Sequence, residues 1–333
     1  MRRFLFAAAF VSAAGCFSLT EKENPYLITP PAAPEVIREI PHTFALSLIS
    51  NRISGSVTLE AIGTGELRAR GEAVSSLKSY NSKVKLDVPV YLIRHAKKGL
   101  ILFGSGLSTQ KERRPEEAVL NALKFLASFD YGFRYRQKKG QDIVSRLKEK
   151  GIDPKEIKWL IVPYWSPVTV GMLDSFPEAR VVVSRREWEW RQELAAEKTG
   201  PLDPAVFEGK IKIELVDINN KPPFGAFENG FDFFGDGTLF LVNLPGRTPG
   251  NMGAWLNLDR GPALLTGGAA FVVDNYLDLR LPVKDKIMDV DSYWLSLHII
   301  KAMRRGVPQL VVLPGNDLTP IRLANRPDIT ESK

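Results

Sequence analysis

Short apolar runs, punctuated by Gly, Pro, Asn and Asp, set the first picture of this chain. Residues 88–93 (VPVYLI) read as a strand, 95–99 (HAKKG) as a turn and 100–103 as a second strand, broken by Gly104-Ser105-Gly106. A helix is predicted over 115–129. Asp142 is placed to cap another that carries Ile143, Val144 and Leu147 on one face and closes at Gly151. Asp153-Pro154 starts a single turn. Residues 159–162 and 180–184 (RVVVS) are apolar enough for buried strands, and 187–197 reads as a charged helix.

The second half repeats this logic. Asp236-Gly237 marks a hairpin turn, and 238–244, 252–258 and 262–266 read as strands. Asp291 is expected to cap a helix running through Met303 and stopped by Gly306 and Pro308, before a last strand over 309–313. Two strand-rich halves with helices outside imply layers of helix, sheet, sheet and helix. No linker-like stretch interrupts residues 44–325, which read as a single α/β (α+β) domain, with 326–333 as a C-terminal tail.

Composition changes this picture little. Hydrophobic residues make up 44% and charged residues 25%, an ordinary globular balance, and the formal charge is +7. No dense run of Lys and Arg is interleaved with aromatics, so no nucleic acid partner is expected. The chain has one cysteine, Cys16, which excludes an internal disulfide and a CxxC metal site. Its three histidines are His42, His95 and His298. His42 falls in a proline-rich stretch, His95 in a turn where exposure is expected, and His298 on a helix face as a satisfied, half-buried side chain.

The N-terminus reads as an address. Arg2 and Arg3 precede an apolar run from Phe4 to Ala14 that is too short to span a bilayer, which takes about 20 residues. The run ends in Ala13-Ala14-Gly15-Cys16, which resembles a bacterial lipobox with Ala13 in place of the usual leucine. Residues 1–15 are therefore expected as a signal peptide and Cys16 as the lipid attachment site. The implied partner is a membrane, reached through the N-terminal lipid, and the implied location is the cell envelope on the exported side. Residues 16–43, rich in proline, read as a semi-extended tether.

Six segments then resemble, in order, the metallo-β-lactamase superfamily in its lactonase-like branch of acyl-homoserine lactonases. Residues 88–95 are similar to the family's early strand, 102–107 (LFGSGL) to LFDTGL, and 141–173 to its helix, strand and metal loop. Residues 244–250 (LPGRTPG) are similar to TPGHTPG, 265–269 (LTGGA) to LTGDA, and 313–317 (LPGND) to VPGHD. The resemblance implies a four-layer αββα metallo-β-lactamase sandwich and a cleft that in the family holds two zinc ions. At the HxHxDH positions this chain has Tyr164, Ser166, Val168 and Thr169. The later ligand positions carry Arg247, Gly268 and Asn316, and Gly104 stands at the aspartate of FDTG.

Zinc takes imidazole, thiolate or carboxylate donors, and these residues offer none. The expectations are accordingly no metal ligand, no cofactor and no catalytic residue: a pseudoenzyme with a degenerate site. Its main function would be that of a catalytically inactive envelope domain binding an anionic small ligand or a protein partner. Arg247 and Asn316 are the natural groups for an anion, since a guanidinium pairs with carboxylate or phosphate in bidentate fashion. The alternatives are an altered or metal-independent hydrolase of lactone or ester type, and a structural envelope component. Asp274 and Asp317 are the carboxylates expected near the cleft. Trp188 and Trp190 with Arg185, Arg186 and Arg191 are expected on a solvated helix face. No GxSxG nucleophile elbow and no Gly-rich phosphate loop is present.

Overall fold

Two sheets face one another across an apolar interior in the computed structural model, which describes residues 27–41, 43–44, 56–79, 81–108, 133–196, 209 and 211–332. The first begins with β1 (Val57–Arg70), whose buried and open positions alternate over much of its length, and β2 (Lys83–His95), which pairs with it antiparallel. β3 (Gly99–Phe103) returns beside β2. β5 (Ile157–Val162), β6 (Arg180–Ser184) and β7 (Lys212–Val216) then follow in parallel. The parallel strands β5 and β6 are nearly continuous apolar runs because both their faces are covered. β4 (Arg134–Arg136) pairs with β1.

The second sheet has the order β12-β11-β10-β9-β8: β8 (Gly230–Asp232), β9 (Leu239–Asn243), β10 (Met252–Leu258), β11 (Gly261–Leu265) and β12 (Val311–Leu313). Leu59, Ile93 and Ile161 of the first sheet meet Leu241, Ala254 and Leu265 of the second in the central core. On the far side of the first sheet, Ile143 and Leu147 of α2 (Ile143–Glu149) seal a second cluster; α1 (Gly71–Val74) and α3 (Pro167–Val170) are single turns. α4 (Arg185–Ala196) follows β6. α5 (Val273–Leu277) precedes α6 (Val290–Gly306), which covers the second sheet. α6 buries Tyr293, Trp294, Leu297, Ile300 and Met303, the stripe a 3.6-residue period requires. The expected αββα layering is borne out.

Several expectations are corrected. The cap of α6 is Asp289, not Asp291: its carboxylate accepts the amides of Asp291 and Ser292. The helix expected over 115–129 lies outside the described residues, as do Cys16 and His42. Residues 326–333 are no simple tail, because α7 (Thr319–Ala324) leads into β13 (Ile329–Ser332), which pairs parallel with β1. His95 is buried rather than exposed. Its Nδ1 accepts the amides of Lys97 and Lys98, which leaves Nε2 to donate toward Asp236 and Thr238 in the connection from β8 to β9.

The proline-rich stretch does not simply hold the domain at a distance. Over residues 27–41 it lies along α6, with Ile28, Ile37 and Ile40 packed into the cluster beneath that helix and Trp294 Nε1 donating to the Ala32 carbonyl at 3.1 Å. Among the described residues no helix is long and apolar enough to cross a membrane.

Candidate active site

One rim of the sandwich gathers the loops that follow β3, β5, β9, β11 and β12. Gly104 leaves β3 at positive φ and its amide donates to the Ile161 carbonyl, so the first two loops start side by side. The β5 loop is bound to the second sheet where Met252 N–H donates to the Pro163 carbonyl at 2.8 Å. Ser166 opens the single turn α3, with its amide donating to Thr169 Oγ1. The Thr169 hydroxyl is spent on the Tyr164 carbonyl. Asn316 is nearly buried; its Nδ2 donates to the Asp87 carbonyl at 2.8 Å and its amide to that of Phe271 at 3.0 Å. The Gly268 amide donates to Asn251 Oδ1 at 2.7 Å.

The structure brings the candidate positions together. Gly104, Tyr164, Val168, Thr169 and Asn316 line a cavity of about 30 Å³ with Tyr91 and Phe103, room for about one water. Ser166 lies behind it, engaged with Thr169. Arg247 lies outside this cavity, against Tyr164. Its guanidinium carbon is 5.1 Å from the Tyr164 ring centre and 4.5 Å from that of Phe271, and Nη1 donates to the Lys286 carbonyl at 3.2 Å. A Cβ added at Gly268 would collide with Arg247 Cδ. Beside the guanidinium, the Tyr293 hydroxyl is buried without a hydrogen-bond partner; burial pushes it up, while Arg247 pulls the other way. Tyr91 is likewise pushed up by burial and donates to the Pro314 carbonyl at 3.3 Å.

Sequence reasoning missed Glu187. Its carboxylate is fully buried and accepts the amides of Trp165 at 2.6 Å and Gly250 at 3.1 Å, joining the β5 loop to the loop that carries Arg247. Burial pushes this carboxyl up, against the hydrogen bonds from Trp165 and Gly250 and the charge of Arg191. The available signal was the i, i+4 pairing of Glu187 with Arg191, which places both on one face of α4. Both are buried, so the expectation of a wholly solvated face is corrected: Arg185 and Arg186 are exposed, whereas Trp188 packs on Trp165 with ring centres 5.4 Å apart.

The remaining candidates are structural. Asp317 accepts the amides of Val273 and Thr319, and Asp274 pairs with Lys78 at 2.8 Å. His298 stacks edge-on against Trp294, and its Nε2 is buried without a hydrogen bond, so it is not the satisfied side chain expected.

The residues at the cleft do not fit a zinc pair. Tyr164, Val168 and Gly268 present no imidazole or carboxylate, Arg247 fills the space over Gly268, and the remaining void holds about one water. Among the described residues no group of three His, Cys, Asp or Glu could hold a metal ion.

No family model matches the chain. It is 26% identical over 232 residues to N-acyl homoserine lactonase AttM of Azorhizobium caulinodans, covering 68% of this chain and 81% of that protein. With AttM of Agrobacterium fabrum it shares 30% identity over 149 residues, 43% of this chain and 53% of the relative. Among solved structures it superimposes on an N-acyl homoserine lactone hydrolase with product bound at its catalytic metal center. The TM-score is 0.62 at 18% identity, over 82% of this chain and 97% of the other.

These relatives overturn two expectations: a catalytically inactive binding domain, and a chain that is not an enzyme. The curated relatives are named as lactonases, so the reading as a pseudoenzyme with a degenerate site is withdrawn. The expectation of no cofactor is corrected too, because the matched hydrolase works with a catalytic metal center. The chain thus has the metallo-β-lactamase fold and is similar in sequence to N-acyl homoserine lactonases.

Proposed function

We propose that the protein is a hydrolase of lactone or ester substrates with an altered cleft, in which Arg247 provides the positive charge at the reacting carbonyl. The reading is supported by the lactonase relatives, whose similarity runs through most of the chain. The observation that carries it is the Arg247 guanidinium, fixed over Gly268 between Tyr164 and Phe271 at the rim. Attack on a lactone or ester carbonyl builds negative charge on its oxygen, and preorganised donors aimed at that oxygen are commonly the largest contribution to such a reaction. A guanidinium donates through a planar fork and also suits the carboxylate that ring opening leaves behind. Phe271 and Tyr164 hold the fork in place, and the Lys286 carbonyl engages one of its nitrogens.

The test is turnover of short-chain lactones and esters by the purified chain, before and after chelation, with Arg247→Ala and Arg247→Lys alongside. Turnover that falls about 100-fold or more in Arg247→Ala is expected, the scale of losing one oxyanion donor. Turnover that appears only on adding zinc would remove the role of Arg247 while keeping the hydrolase. No turnover on any lactone or ester would remove both.

A further inference from the structure

The stretch over residues 27–41 runs parallel to α6. Ala32 is held at Trp294, one turn into the helix, and Ile40 packs against Gly306 at its last residue. The N-terminal end of α6 belongs to the cleft: the amides of Met288 and Asp289 both donate to the Gly246 carbonyl, next to Arg247. The chain therefore enters the described structure at the cleft rim, descends the outside of α6 and starts β1 at the opposite rim, where Val57 pairs with His95. The described stretch therefore begins on the side on which the cleft opens.

That side exposes apolar side chains among the charged residues Asp278, Arg280, Lys284 and Asp285. Leu77, Leu277 and Met288 are 53%, 48% and 55% exposed, and Leu27 is 43% exposed. Leu77 and Leu277 belong to one lip, joined by the Ser76 amide to the Leu281 carbonyl and by the Lys78–Asp274 pair. Met288 lies in the same lip, two residues beyond the Lys286 carbonyl that holds Arg247. At the opposite rim the turn after His95 presents the charged residues Lys97 and Lys98.

We propose that this lip is a membrane-docking surface, with the occupant a phospholipid bilayer and the cleft mouth facing it. The argument rests on where the chain ends and how far it reaches. Cys16, expected to carry the lipid, lies eleven residues before Leu27, a span of at most about 40 Å at full extension. Side chains of this kind lie at the headgroup–acyl boundary when a lipid anchor brings them there.

The full-length chain, expressed with its N-terminus intact and reconstituted in phosphatidylethanolamine–phosphatidylglycerol vesicles, tests this. With Cys16 acylated, a cysteine introduced as Met288→Cys, Leu277→Cys or Lys97→Cys is the one free thiol and takes an environment-sensitive fluorophore. Labels at 277 and 288 are expected to shift to the blue and to be quenched by brominated acyl chains, while the label at 97 stays in water. Cys16→Ser is expected to abolish the acyl mass and release the chain from vesicles. A label at 97 that is quenched, equal water exposure at all three positions, or an intact chain without acyl mass would each overturn the proposal. These readings do not depend on turnover, so loss of the hydrolase reading leaves the orientation test standing.

Discussion

Arg247 Cδ occupies the volume that a Cβ on Gly268 would require. Two positions that in a metal-binding relative would both supply ligands are complementary here: one has lost its side chain and the other has filled the space. Gly268→Ala is expected to displace Arg247 and cost about 1–3 kcal/mol, the usual range for overpacking. In an Arg247→Ala background the same substitution should cost less, with a coupling of about 0.5–3 kcal/mol in a double-mutant cycle read by urea denaturation. Strict additivity would show that the two side-chain volumes do not compete.

Glu187 joins two cleft loops through two backbone amides. Glu187→Ala strands both donors in the interior, an expected loss of about 2–5 kcal/mol, and Glu187→Gln should lose less because its carbonyl oxygen still accepts one amide. Burial raises this carboxyl, so its contribution is present below the ordinary carboxylate range and declines as pH rises through the raised value. Urea midpoints measured from about pH 4 upward should carry that slope in the parent chain and lose it in Glu187→Gln.

Asp289 behaves in the opposite sense. The Ser292 hydroxyl and the amides of Ser292 and Asp291 hold its carboxyl below the usual value. The stabilisation is therefore present above the unfolded value, near 3.9, and is lost as pH falls through the lowered one. Asp289→Ala is expected to cost about 1 kcal/mol at neutral pH, the typical value of a helix cap, and the difference should close in acid. A difference independent of pH would assign the loss to packing.

Removing residues 1–41 uncovers the face of α6 on which Ile28, Ile37 and Ile40 pack. At about 1 kcal/mol for each partly buried side chain, a loss of about 2–4 kcal/mol is expected in thermal or urea unfolding. An unchanged midpoint would mean that the strap adds nothing to the domain's stability.

Much of the fold was legible because its elements carry local signals. The β6 run RVVVS reads as a buried strand from its apolar content alone, and Asp142 caps α2 as its position before Ile143 predicts. The cap of α6 was misplaced by two residues because Asp289 and Asp291 both precede the same apolar stripe, and only the backbone geometry distinguishes them. β13 was read as a tail because four half-polar residues show no periodicity; their pairing with β1, more than 250 residues away in sequence, makes them a strand. His95 reads as part of a turn, yet it ends β2, and Asp236 and Thr238 of the β8–β9 connection close over it and bury it. The inactive, cofactor-free reading was a different error. It inferred the function of the whole chain from the donors missing at one set of positions, and the lactonase relatives corrected it.

The sequence by itself determined which residue types stand at the cleft, and so which donors a zinc ion would lack there. It also determined the strand and helix runs, because both follow from side-chain chemistry and local periodicity. Only the tertiary structure decided that Arg247 lies over Gly268, that Glu187 binds two loops from within, and that the described N-terminal stretch begins at the cleft. These are contacts between segments far apart in the chain, set by how two sheets and a helix pack, and no local pattern of residues encodes them.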